Sequence, residues 1–134
     1  MADAMYNNYR EEAMKGLRAL NTEVIKVTGV TAAYTYNAAH TSINDIPGAN
    51  RVHTSAALSN KTTTNGIFDA DDVTFTAVAA GSAIAALVVY VEAGTSASST
   101  LILYLDSAAQ LPVTPNGGDI IVQWDSGANK IFKL

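Results

Sequence analysis

Cysteine is absent from the chain, so disulfides, thiolate nucleophiles and cysteine-based zinc sites are excluded. Basic residues are sparse. Eight Lys and Arg, scattered singly, stand against twelve Asp and Glu, giving a formal net charge of −4 and a pI near 4.9. With no groove-sized cationic patch, binding to nucleic acid or to an acidic membrane surface is not expected. Charged residues make up only 15% of the chain and hydrophobic ones 49%, with a mean hydropathy of +0.14, which is ample for a buried core. Long apolar runs are missing too. The longest weakly polar stretch, Ala77 to Val91, is broken by Gly81 and Ser82 and is shorter than the roughly 20 residues of a bilayer crossing. The segment Met1 to Glu12 lacks the basic start and apolar run of a secretory signal. The expected place of folding is therefore the cytoplasm, where the sequon Asn60-Lys61-Thr62 has no glycosylation context. At 134 residues the chain is expected to be one domain, with a helical segment at 1–21 and a β body at 22–134.

What is present is mostly strand. Tyr6, Tyr9, Ala13 and Leu17 recur at helical spacing behind Asp3, a plausible N-cap, with Gly16 or Asn21 as the stop. A stripe this narrow must lie against something else. The period then changes to 2, and Val24 to Thr28 is β-branched enough for a strand. A long connection, Gly29 to about Thr54, follows, with a helical turn near Thr41 to Asp45. A loop of that length in a small domain is usually functional or held by a partner. Asn65-Gly66 reads as a tight turn before Ile67-Phe68, and Val73, Phe75 and Ala77 alternate as the buried side of a strand. Ile84 to Val91 and Leu101 to Leu105 are apolar on both faces, the pattern of a central hairpin, with Gly94 to Ser99 as its loop. Pro112, Pro115, Asn116, Gly117 and Gly118 mark the next turn region. Ile120 to Trp124 and Lys130 to Leu134 are expected to pair across Asp125 to Asn129. Short strands with one N-terminal helix indicate a mainly β, antiparallel sandwich or barrel.

Catalytic chemistry is hard to place. Asp69, Asp71 and Asp72 lack the spacing of a calcium loop and read as an acidic turn capping backbone N–H groups. His40 and His53 have no carboxylate at ligand spacing and read as structural, and no nucleophile elbow, phosphate-cradling loop or dinucleotide fingerprint is present. No enzyme, metal or cofactor is expected. Tyr34 and Tyr36, two residues apart, offer a stacking surface for sugar rings or bases, although local packing is the commoner use of such a pair.

Four stretches, in order, carry a family resemblance: Tyr6-Asn7 with Lys15-Gly16; Val24 to Val27 leading to Ala33-Tyr34-Thr35; Phe68-Asp69-Ala70-Asp71-Asp72-Val73-Thr74-Phe75; and Leu101 to Asp106 with Asn116 to Ile120. Together they resemble the small head-decoration, or cement, proteins of tailed bacteriophages. The link Leu17-Arg18-Ala19-Leu20-Asn21-Thr22 departs from the acidic link of that family by being more basic and more apolar. The resemblance implies a virion protein made in the host cytoplasm, bound to the major capsid protein and self-associating on the capsid surface. The contact residues expected for such a role, from the unpaired apolar stripe and the over-long loop, are Tyr6, Tyr9 and Arg10 in the first segment and Ile43, Ile46 and Arg51 in the long loop. A head–tail connector or tail protein, and a host-glycan-binding module using Tyr34 and Tyr36, are the alternatives.

Overall fold

The computed structural model describes residues 3–134; Met1 and Ala2, the start of the segment read for a signal sequence, lie outside the described residues. The body is mainly β and antiparallel, with one α-helix, as the strand pattern predicts. Its centre is a five-stranded sheet built from Ala4–Met5 (β1), Ile25–Val30 (β2), Arg51–Thr54 (β3), Ala86–Val91 (β6) and Leu101–Leu105 (β7), in the order β1-β7-β6-β2-β3. Two short pairs accompany it. Ile67–Phe68 (β4) pairs with Phe132–Lys133 (β9), and Val73–Phe75 (β5) pairs with Ile120–Val122 (β8).

The register separates two cores. Val27, Val89 and Leu103 lie side by side on one face, and the neighbouring row of Thr28, Val88 and Tyr104 faces the other way. The first face packs on Phe68, Phe75, Val122, Ile131 and Phe132 from the short strand pairs. The second is covered by chain without strands: Tyr34, Ile43 and Ile46 of the 31–50 segment, together with Tyr6. Central strands apolar on both sides thus have a layer on each side.

Several expectations are corrected. The helix (α1) runs from Asn7 to Met14, with Tyr6 rather than Asp3 at its N-cap. Asp3 instead accepts hydrogen bonds from the Asp106 and Ser107 backbone N–H groups and the Ser107 hydroxyl, tying the chain start to the end of β7. Gly16 follows the helix at φ +73°, as a terminating glycine should, and Leu17 falls outside the stripe at 61% exposed. Val24 precedes β2 and is exposed, whereas Gly29 and Val30, read as loop, belong to that strand. The C-terminal part of the same loop forms β3. Alternation past Phe75 fails because Ala77 turns to φ +49°, with its N–H held by Asp119, so that Val78 is buried in its place. Ile120 to Trp124 does not pair with Lys130 to Leu134. Asp72 accepts the Trp124 backbone N–H, keeping β8 beside β5, while a turn closed by Asp125 and Gly127 sends the chain on to β4.

Gly29 is a glycine for lack of room. A Cβ there would stand 3.0 Å from both Cδ1 and Cγ2 of Ile84, whose side chain is fully buried. Gly29→Val is therefore expected to lower unfolding stability by about 1–3 kcal/mol, read from the midpoint of a urea titration.

Candidate interaction surface

Of the six residues suggested as partner contacts, four are core. Tyr6, Tyr9, Ile43 and Ile46 are each no more than 4% exposed. Tyr6 and Tyr9 are helix-stripe residues whose neighbours belong to the chain itself: Tyr9 meets Phe132 edge-on at 6.0 Å, and the Tyr6 ring lies 5.1 Å from that of Tyr36. Ile43 and Ile46 are turned inward by the helical turn Ile43–Asp45, which fits the turn expected from the sequence. There Asp45 accepts hydrogen bonds from the Thr41 and Ser42 backbone N–H groups, which hold its carboxyl below the usual range. The turn is pinned to β7 because the Ile43 N–H donates to the Ser99 carbonyl and the Leu101 N–H donates to the Thr41 carbonyl. Only Arg10, exposed on α1, and Arg51, half-buried on the edge strand β3, keep any claim to an outside contact.

Tyr34 and Tyr36 pack in an aromatic group with Tyr6 and Tyr104, Tyr34 buried and Tyr36 partly buried. Tyr34 is 5% exposed; its hydroxyl lies 2.9 Å from the Tyr6 hydroxyl and 2.9 Å from Nδ1 of His40. The Tyr36 hydroxyl donates to the Met5 carbonyl at 2.6 Å. Both histidines have structural neighbours, since His53 stacks obliquely on Phe75 at 5.3 Å. In the acidic turn Asp72 accepts the Trp124 backbone N–H as expected, whereas Asp71 binds the side chains of Ser59 and Asn60 instead of a backbone N–H. Among the described residues, no cluster of His, Asp and Glu is placed to hold a metal, and no helix is long and apolar enough to cross a membrane.

The basic link after α1 has a local explanation. Arg18 makes ion pairs with Glu12 on the helix and Glu23 before β2, at 2.5 and 2.7 Å, and donates to the Thr100 hydroxyl. One guanidinium thereby joins three parts of the chain, which a lysine would not do with the same fork.

One broad concavity escaped the sequence reading. A groove of about 800 Å³ runs between the β1–β7 side of the main sheet and the segment from Val122 to Leu134. Leu87, Leu103 and Leu105 form its sheet side, and Trp124 and Phe132 face them. Its charged residues are Asp3, Arg10, Asp125, Lys130 and Lys133. No signal in the sequence could have placed it, because its walls are residues far apart in the chain. The groove is open, apolar on its floor and edged by charged side chains. No protein-family model matches the chain, and no curated protein does so either.

Proposed function

We propose that this protein is a structural component of a bacteriophage head, decorating the capsid and stabilising it by bridging major capsid subunits. The reading is carried by the order of the four resembling stretches, parts of which fall on α1, the start of β2, the β4–turn–β5 unit and β7, with Ala33-Tyr34-Thr35 and Asn116 to Asp119 in connecting segments. The acidic turn joining β4 to β5 is the most specific of them. A cement role asks for a firm β body with contact surfaces, repeated by symmetry so that a modest contact is multiplied over the shell. Exposed apolar side chains at Met14, Leu17, Val24, Ile121 and Leu134 fit such contacts.

The test is stoichiometry. Quantitative mass spectrometry of purified virions is expected to find the chain at hundreds of copies per particle, comparable to the capsid protein. About a dozen or fewer would assign it to a connector or tail, and its absence from mature particles would end the virion reading altogether. Saturable binding of the isolated chain to host polysaccharide, without binding to empty capsids, would favour the glycan module.

A further inference from the structure

We infer that the groove between β1–β7 and the Val122–Leu134 segment is a docking site for an extended, acidic segment of another protein, laid down as an added strand. Three observations carry it. Three of the strands that border the groove are edge strands, since β1 pairs only with β7, β8 only with β5 and β9 only with β4, while the interior strands β6 and β7 supply Leu87, Leu103 and Leu105 to its floor. Edge strands recognise extended chain, whose alternate side chains can enter an apolar floor while its backbone meets theirs. The floor is apolar, with Leu87, Leu103, Leu105, Trp124 and Phe132 around it, and Leu87, Leu105 and Trp124 are only partly buried by the protein's own packing.

Charge decides what kind of segment fits. In a chain of net charge −4, the groove gathers three of the eight basic residues, Arg10, Lys130 and Lys133. Arg10 and Lys133 are exposed and form no ion pair among the described residues. The two groove carboxylates are already engaged. Asp3 accepts from the Asp106 and Ser107 backbone and the Ser107 hydroxyl, and Asp125 accepts from the Gly127 N–H. Those donors are neutral and leave both carboxylates charged, so the side chains at the rim set three positive charges against two negative; the two exposed cations without an ion-pair partner, Arg10 and Lys133, favour carboxylates flanking the apolar positions of the guest and disfavour lysines there. The inference rests on the capsid reading only for who supplies the segment, and on the groove alone for its chemistry.

Trp124 is the only tryptophan in the chain and borders the groove, so its emission reports occupancy. The probe is an end-blocked peptide alternating Glu and Val at neutral pH, compared with the same peptide carrying Lys in place of Glu. The acidic peptide is expected to shift Trp124 emission saturably, with an affinity at least about tenfold above that of the basic one and falling with added salt. The exposed double charge reversal Arg10→Glu with Lys133→Glu is expected to abolish or invert that preference while leaving the far-ultraviolet circular dichroism unchanged. Equal response to both peptides, no response, or indifference to the charge reversal would overturn the inference. So would a concentration-dependent emission shift without peptide, matched by dimers in sedimentation, since the groove's occupant would then be a second copy. Peptide binding with no chain in virions would leave the groove assigned and the capsid reading wrong; the reverse pair of results would do the opposite.

Discussion

Replacing Ile46 with alanine is expected to destabilise the isolated protein by about 2–5 kcal/mol, with no partner present. Ile46 is fully buried and packs into the cluster on the loop side of the main sheet, with Val30, Val88, Tyr34 and Tyr104. Its segment is pinned by the bonds to Ser99 and Leu101 and by the Asp45 turn, so it cannot collapse freely into the space that the lost methyls leave. Chemical denaturation of the free chain checks this directly. A loss below about 0.5 kcal/mol, the size of an ordinary surface substitution, would mean that the loop is ordered by a partner and does not form part of the resting core. The same measurement on Arg10→Ala is the natural contrast, since that side chain is exposed.

Above pH 10 the fold is expected to fail in one cooperative step. Five of the six tyrosines, Tyr6, Tyr9, Tyr34, Tyr90 and Tyr104, have phenols pushed up, in every case mainly by burial. Tyr9 and Tyr90 are raised to about 12, helped by the nearby carboxylates of Glu23 and Glu92 respectively. The direction of the effect follows from linkage. Below the unfolded value near 10, both states hold these protons and stability is complete. As pH rises past it, only the unfolded chain releases them, so stability falls until the folded-state values are reached. Each such phenol contributes about 1.4 kcal/mol per pH unit across that window. Several acting together exceed what a domain of ordinary stability can withstand. Phenolate absorbance and loss of near-ultraviolet circular dichroism are expected to rise together. Phenolate appearing gradually in a still-folded protein would show that the tyrosines are solvated.

Those tyrosines also mark where the sequence was readable and where it was not. Alternation and β-branching located β2, β5, β6 and β7, and the hairpin of the last two is the core it promised. Such patterns report how a residue sits relative to its neighbours in the chain, and they stop there. Ile120 to Trp124 and Lys130 to Leu134 look like a hairpin because they are close in sequence, whereas Asp72 and the turn at Gly127 hand each to a different partner. The same limit applies to the contact residues. Tyr6, Tyr9, Ile43 and Ile46 have no visible cover in the sequence, and so seemed free for a neighbour. Their cover is a central sheet whose strands read as apolar on both sides, but the local pattern could not say which segments would lie on each face. The groove needs β1, β7 and β9 in place before it exists at all.

The pairing of the small strands bears on biosynthesis. β4 waits for β9 and β5 for β8, so Ile67 meets Lys133 and Val73 meets Val122. A nascent chain that has already released β2, β6 and β7 from the ribosome still lacks the lid over their first face. Val27, Val89 and Leu103 stay open to water until β8 and β9 have emerged, a brief window in which crowding by sister chains competes with folding and a holdase would have a surface to grip.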